Sequence, residues 1–191
     1  IVWPVTLQSF PRTIQIETPL VANNPQHVRP LIENLDLDLN VDDPQFVDST
    51  FMNRTLIGRR RAIFDALQLQ FYGLKWADTG IDQTYPEDYT PAQRDFEAGD
   101  DTFQGWQEAD FTTDQLALKV LDAGAALAGD IPILVVNEPI LVSDGENSNI
   151  RYNFFYPRWS YDLYRLAMNQ AAENADWTYV NLWNIVPKAE L

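Results

Sequence analysis

Two polar residues, Asn137 and Glu138, directly follow an apolar run in the stretch IPILVVNEP. An amide at the end of a buried strand can donate a hydrogen bond to a developing oxyanion, and a carboxyl whose pKa is raised by burial can act as an acid or a base. The alternative is that both residues cap the turn or helix that follows, with Pro139 at its first position. The residues alone leave both interpretations open.

Other polar residues follow the two remaining strand-like runs. Thr6 and Gln8 come after the run at the start of the chain, and Asn181 ends a run near its end. In open α/β sheets, ligands bind outside the carboxyl ends of the strands. We therefore predict one rim at which Thr6, Asn137 and Glu138 are candidate oxyanion or rim residues and Gln8 is a candidate substrate-binding residue.

Aromatic residues are dense between positions 152 and 161. Tyr152, Tyr156 and Trp159 are candidate substrate-binding residues, because aromatic rings offer large apolar faces for a sugar or an acyl chain. The alternative is that most of them belong to the core. The loop just before them, at 144–149, is rich in acids and amides, but its spacing fails the EF-hand pattern and a solvated loop is the simpler interpretation.

Several kinds of site cannot be assembled from this sequence. Its one histidine is His27, and its serines lie neither in G-x-S-x-G nor after Gly-Asp. The motifs G-x-G-x-x-G, the P-loop and H-E-x-x-H are absent as well. We expect no cofactor and no metal, and the chain alone cannot assemble a nucleophilic site.

The composition limits the partners. The chain has 191 residues, a formal net charge of -15 and no cysteine. Its acidity repels phosphate backbones and anionic lipid, so we expect neither a nucleic-acid partner nor membrane contact. Without cysteine, the redox compartment stays open, and so does the localisation, with an extracytoplasmic parent protein as one interpretation.

Hydrophobic patterning predicts a parallel sheet covered on both faces. Short runs rich in branched and aromatic residues predict strands at 1–6, 131–137 and 178–182. Helices are predicted at 112–129, opened by a capping box and closed by Gly129, and at 158–177. A short helix interrupted by Pro30 and a long helix from Pro44 to about Trp76 are predicted earlier in the chain.

The chain is predicted to be a single α/β domain over 1–191, with a helical and loop-rich insertion at 10–111 after the first strand. The insertion far exceeds the dozen or so residues that a crossover connection needs. Both termini lie close to predicted strands, so we expect the chain to be a segment of something larger.

The stretches IPILVVNEP, YPRWSYDLYRLAMNQAAENADW and TYVNLWNIVPKAE resemble the later part of SGNH (GDSL-type) hydrolases, and IVWPVTLQSF resembles their third-block strand. The resemblance covers about sixty residues at the C-terminal end and the first ten. It implies a three-layer α/β/α, flavodoxin-like fold. The family's Gly-Asp-Ser and Asp-x-x-His blocks would lie outside this chain, and Thr6 stands where the third-block asparagine belongs.

The resemblance thus implies that the chain is a segment of a serine esterase or acyl transferase that acts on an ester. A carbohydrate-linked ester is among the candidate substrates. The resemblance also implies that this chain alone is inactive. The alternative function is a non-catalytic glycan- or ligand-binding module that uses the loop aromatics at 152–161 and 85–106. A further alternative is a regulatory or assembly domain whose acidic surface meets a basic partner.

Overall fold

The computed structural model of the protein describes residues 1–48, 50–51, 55–79, 95–173 and 175–186. The chain divides into two compact units. One unit comprises Ile1–Phe46 together with Gln93–Leu191, and the other comprises Val47–Ala92.

The first unit is built on a parallel sheet. Its strands are β1 (Val2–Val5), β2 (Leu134–Asn137) and β3 (Thr178–Asn181), in the order β1-β2-β3. Val5 pairs with Asn137, and Asn137 pairs with Asn181, so the three strands end at the same level. The predicted strands and their parallel arrangement are confirmed, because short runs of branched residues suit a sheet whose connections are long crossovers.

The helices of the described residues are named in chain order. They are α1 (Pro19–Ala22), α2 (Pro25–Asn34), α3 (Arg60–Thr79), α4 (Lys119–Ala128) and α5 (Arg158–Ala172). Four of them belong to the first unit and α3 belongs to the second.

The predicted helix at 112–129 is shorter than expected. The backbone N–H of Thr112 donates to Oε1 of Gln115 at 2.7 Å, but the turn that this bond closes is a short 3-10 segment. The N–H of Ala117 then donates to the carbonyl of Phe10 at 2.7 Å, which holds this stretch against the segment after β1. Helix α4 therefore begins at Lys119, and it ends as predicted at Gly129, whose φ of 60° favours glycine.

Two predicted helix boundaries before residue 80 are also wrong. The long helix begins at Arg60 rather than Pro44. Just before it, the N–H of Gly58 donates to Oγ1 of Thr55 at 3.1 Å, a local turn that competes with helix formation. In contrast, α2 continues through Pro30 instead of stopping there, although an interior proline removes one helix hydrogen bond and crowds the preceding turn.

Helices α4 and α5 cover the same face of the sheet. Alternate strand residues share a face, so Trp3, Val135 and Asn137 point to one side. Trp3 packs closely on Gly124 of α4, and Asn137 accepts a hydrogen bond from the Tyr164 hydroxyl of α5. The two crossover connections advance in the same direction across the sheet, from β1 to β2 and from β2 to β3. Because such connections are right-handed, their helices lie on the same face of the sheet.

The opposite face of the sheet is largely uncovered among the described residues. Val2 is 68% exposed, and Pro4, Thr178 and Val180 are exposed as well. The described residues thus cover one face of the sheet, and the expected second layer stays a prediction. The described residues form an α/β fold with a parallel sheet and helices on one side.

The contact between Gly124 and Trp3 predicts the effect of one methyl group. A Cβ at position 124 would overlap the six-membered ring of Trp3. We expect Gly124→Ala to lower the free energy of unfolding by about 1–2 kcal/mol, although alanine favours helices over glycine by about 1 kcal/mol. Urea unfolding measures this. In the control, Trp3→Phe removes the ring that clashes, and Gly124→Ala in that background should be neutral or stabilising; a loss of equal size there would contradict the explanation.

Candidate functional site

The carboxyl ends of the strands gather polar residues at one edge of the sheet. Asn137 and Asn181 end β2 and β3 side by side, and Thr6 immediately follows the end of β1. Parallel pairing in this register is what brings residues far apart in sequence to the same edge. We call Thr6, Asn137 and Asn181 the rim residues.

Asn137 is the buried centre of this edge. Its side chain is 0% exposed. Its Nδ2 donates to Oδ1 of Asn181 at 2.8 Å, and its Oδ1 accepts hydrogen bonds from the hydroxyls of Tyr164 at 3.1 Å and Tyr161 at 3.3 Å. Tyr161 and Tyr164 lie three residues apart on α5, so both project from the helix face that packs on the sheet.

Thr6 is held by a third tyrosine. Its Oγ1 lies 2.8 Å from the hydroxyl of Tyr156, and either oxygen can donate. The Tyr156 ring packs on that of Tyr161 with centroids 4.9 Å apart. A chain of phenol groups therefore connects Thr6 with Asn137 beneath the rim.

Glu138 and Gln8 lie at the outer side of the same edge. Glu138 is exposed, and its backbone N–H donates to the carbonyl of Val5 at 2.9 Å, which extends the ladder between β1 and β2 by one bond. Residues 138–144 are irregular, so the interpretation of Asn137 and Glu138 as caps of a helix or turn beginning at Pro139 is wrong. Gln8 accepts a hydrogen bond through Oε1 from Nε2 of Gln104 at 2.8 Å.

The aromatic candidates lie mainly in the core. Tyr152 and Tyr156 are buried, and the hydroxyl of Tyr152 donates to Oδ1 of Asp162 at 2.8 Å. Trp159 is partly buried, and its Nε1 donates to the carbonyl of Asp101 at 2.6 Å. The exposed aromatic residues of the segment are instead Phe154 and Phe155, at 59% and 60%.

The second aromatic stretch of the ligand-binding alternative, 85–106, is described only in part. Residues 85–94 lie outside the described residues. Within the remainder, Phe103 is buried and packs on Trp106 with ring centroids 6.5 Å apart. Phe103 is therefore a core residue, whereas Trp106 is only partly buried.

Two features of the site were missed at the level of sequence. Tyr164 was not singled out, although its spacing from Tyr161 on a helix leading away from the rim is a readable signal. The guanidinium of Arg165 lies 3.9 Å from the ring centre of Trp183 and 3.0 Å from a carboxylate oxygen of Asp162. This contact forms because the folded chain brings Trp183 next to α5. The local sequence around either residue does not predict that neighbourhood.

Burial keeps the tyrosines of the site protonated. Burial raises the pKa of Tyr161 from 10.0 to about 12, and the hydrogen bonds of its hydroxyl with Asn137 and Thr6 only partly oppose this rise. Burial also raises the pKa of Tyr164 and, on β3, raises that of Tyr179 to about 12. At neutral pH all three are neutral hydroxyls rather than phenolates that act as bases, and those of Tyr161 and Tyr164 donate hydrogen bonds to Asn137.

The described residues contain no group of three or more histidines, cysteines or acids arranged to hold a metal ion. The acidic loop at 144–149 is fixed to neighbouring backbone instead, with Nδ2 of Asn147 donating to the carbonyl of Phe96 at 2.5 Å. Among the described helices, none is both long and apolar enough to cross a membrane.

Comparison with known proteins finds no relative: no protein-family profile, no curated protein and no solved structure matches this chain.

The hydrogen bonds of Asn137 predict a large effect of its removal. We expect Asn137→Ala to lower the free energy of unfolding by about 2–4 kcal/mol, because it removes the acceptor of the buried Tyr164 hydroxyl and the hydrogen bonds with Tyr161 and Asn181. Tyr164→Phe should cost about 1 kcal/mol, and much less in the Asn137→Ala background. Urea unfolding measures these losses, and Asn169→Ala, which removes an exposed amide of α5, is the control. A similar loss of stability for Asn169→Ala would contradict the buried role of Asn137. Full additivity of Asn137→Ala and Tyr164→Phe would contradict the hydrogen bond between them.

The raised pKa values predict a loss of stability at alkaline pH. Because the pKa of Tyr161 is 10.0 in its ordinary state and about 12 when folded, its contribution is complete below pH 10.0 and is lost as the pH rises towards 12. Unfolding free energy measured at increasing pH should fall across this window, in step with the appearance of tyrosinate absorbance. Tyr161→Phe should make the fall less steep, and an unchanged slope would show that Tyr161 titrates normally.

Proposed function

We propose that this chain supplies the sheet and part of the substrate rim of an SGNH-like serine esterase or acyl transferase that acts on an ester. The serine and the histidine are expected from polypeptide outside these 191 residues, since no catalytic triad can be formed from the serines of this chain and His27. The chain by itself is accordingly expected to be inactive.

The observation that carries the proposal is that Val5, Asn137 and Asn181 end the three strands at a common level, with Thr6 directly after Val5. Parallel strands in this register align the ends of β1, β2 and β3, where α/β enzymes bind their ligands. The resemblance of the sequence to the hydrolase family concerns the same strands and the helix α5 between two of them.

Thr6 is the candidate for an oxyanion contact. When the Tyr156 hydroxyl donates to Oγ1 of Thr6, Thr6 can donate its one hydroxyl hydrogen to a substrate oxygen in place of the neighbouring Tyr161 hydroxyl. In the proposed reaction, the serine oxygen attacks the ester carbonyl carbon while histidine takes its proton, and the carbonyl oxygen becomes an oxyanion. The alcohol then leaves with the proton from histidine, and water or a second alcohol releases the acyl group.

Asn137 has a positioning role in this proposal. Both hydrogen-bonding ends of its amide are engaged with Asn181, Tyr161 and Tyr164, so it fixes the strand ends rather than contacting substrate. Glu138, exposed beside it, and the exposed rings of Phe154 and Phe155 are the groups of this segment that a bound ester can reach.

A three-layer α/β/α arrangement of flavodoxin-like type also belongs to the proposal. Its motivation is the exposed apolar face that carries Val2 and Val180, because parallel sheets are normally covered on both sides. Further helices of the intact protein would form that layer.

The extended gene product tests the proposal. We expect a Gly-Asp-Ser block upstream and an Asp-x-x-His block downstream, and hydrolysis of p-nitrophenyl esters by the extended protein that is lost when that serine becomes alanine. Thr6→Val should lower kcat by about 100-fold with little change in KM, as for loss of one oxyanion donor. Thr113→Val, the same change at an exposed threonine that is not a rim residue, is the matched control, for which kcat should change little.

Three results would contradict the proposal. The first is the absence of both blocks from the flanking sequence. The second is ester hydrolysis by the 191-residue chain at the rate of the extended protein. The third is an effect of Thr6→Val on KM but not on kcat, which would exclude only the part of the proposal in which Thr6 contacts the oxyanion.

A further inference from the structure

Helix α3 exposes an unusual amount of apolar surface. It is 20 residues long, about 30 Å, and its large apolar side chains are all exposed. These are Ile63, Phe64, Leu67, Leu69, Phe71, Tyr72, Leu74 and Trp76. Contiguous apolar patches of this size on a soluble protein mark surfaces that bind another molecule.

One stripe of this helix follows a heptad spacing. Its members are Arg60, Phe64, Leu67, Phe71, Leu74 and Asp78. Successive members are separated by four and three residues in alternation, which is the spacing of the a and d positions of a coiled coil. The four inner members are large and apolar, and a base and an acid close the two ends. We call these six residues the seam.

The seam is complementary to itself when reversed. Arg60 and Asp78, Phe64 and Leu74, and Leu67 and Phe71 each lie at equal distances on either side of residue 69. We propose that α3 pairs with α3 of a second copy of this chain as an antiparallel two-stranded coiled coil. Each pairing joins an a position to a d position, as antiparallel coiled coils require, and the two-fold symmetry makes the interface self-limiting.

Charge selects the antiparallel direction. In that arrangement Arg60 of each copy faces Asp78 of the other, which gives an ion pair of opposite charges at both ends of the seam. A parallel pairing places Arg60 beside Arg60 and Asp78 beside Asp78, two repulsive contacts. The apolar residues supply most of the affinity and the charges supply the direction.

The positions flanking the seam contain one unfavourable pairing, which the two-fold symmetry repeats. Arg61 and Lys75 occupy equivalent flanking positions that face each other across an antiparallel pair, so like charges meet on this side. Lys75→Glu converts both of these contacts into opposite-charge pairs. The geometry therefore predicts that Lys75→Glu tightens the dimer about tenfold, whereas in a parallel pair Lys75 does not face Arg61.

Sedimentation equilibrium of the full chain tests the pairing. We expect a mass of twice 21.9 kDa. Leu67→Glu, on the seam and 66% exposed in the monomer, should raise the dimer Kd by more than about 100-fold, because each dimer loses two buried leucines. Leu69→Glu, off the seam and 68% exposed, introduces the same charge into the same helix and should leave the mass unchanged. Circular dichroism confirms that both variants remain helical.

Charge reversal tests the direction. Arg60→Asp and Asp78→Arg should each weaken the dimer about tenfold, and the double variant should restore it. Cysteine cross-linking gives an independent answer, since the chain contains no cysteine of its own. A mixture of Phe64→Cys and Leu74→Cys chains should form a disulfide-linked heterodimer on mild oxidation, while neither variant alone should cross-link efficiently.

Several outcomes overturn the proposal. A chain that stays monomeric at its highest soluble concentration excludes self-pairing, and co-sedimentation of that monomer with lipid vesicles would assign the surface to lipid. Equal dissociation by Leu67→Glu and Leu69→Glu excludes the seam. Cross-linking of Phe64→Cys with itself, or failure of the charge-reversed double variant to recover, excludes the antiparallel direction.

Discussion

Handedness is the constraint on which the first unit of this protein depends. The chain leaves β1, returns through α4 to β2 and through α5 to β3, and each strand is added on the same side of the one before. Right-handed crossovers stepping repeatedly in one direction place every connecting helix on the same face. The buried core, the tyrosines of α5 and the exposed opposite face all follow from this single topological fact.

The polar contacts at the carboxyl edge are specific because they are buried. An amide shut away from water costs free energy unless its donors and acceptors are paired, so Asn137 requires hydroxyls at the distances that Tyr161 and Tyr164 provide. An apolar residue at position 137 would pack without such a requirement and would leave the position of α5 along the sheet less defined. We infer that Asn137 stabilises one register of α5 above the strand ends, and through Tyr161 and Tyr156 the position of Thr6.

The elements of the fold and the residues of the candidate site differ in how well the sequence predicts them. The strands and α5 were predicted, because their apolar patterns reflect burial that any parallel sheet requires. The start of α4 was not, because the contact of Ala117 with Phe10 comes from a residue over a hundred positions away and overrides a sound capping signal. The burial of Tyr152 and Tyr156 was equally hidden, since a ring that binds sugar and a ring that fills a core have the same local sequence. The strand order decides which face of the sheet the described helices leave uncovered, and the hydrophobic pattern of the sequence does not encode that order.

The charge of the chain bears directly on the self-pairing of α3. Two copies of net charge -15 repel each other, which opposes any dimer. At physiological ionic strength, however, the Debye length is about 8 Å, so charges of the two copies farther apart than this contribute little. The packing of Leu67 and Phe71 and the end pairs of Arg60 with Asp78 act at contact distance, where screening is weakest. Added salt therefore weakens the repulsion between the two copies more than it weakens the attraction within the seam. The dissociation constant of the antiparallel dimer should accordingly be lower at moderate than at low ionic strength.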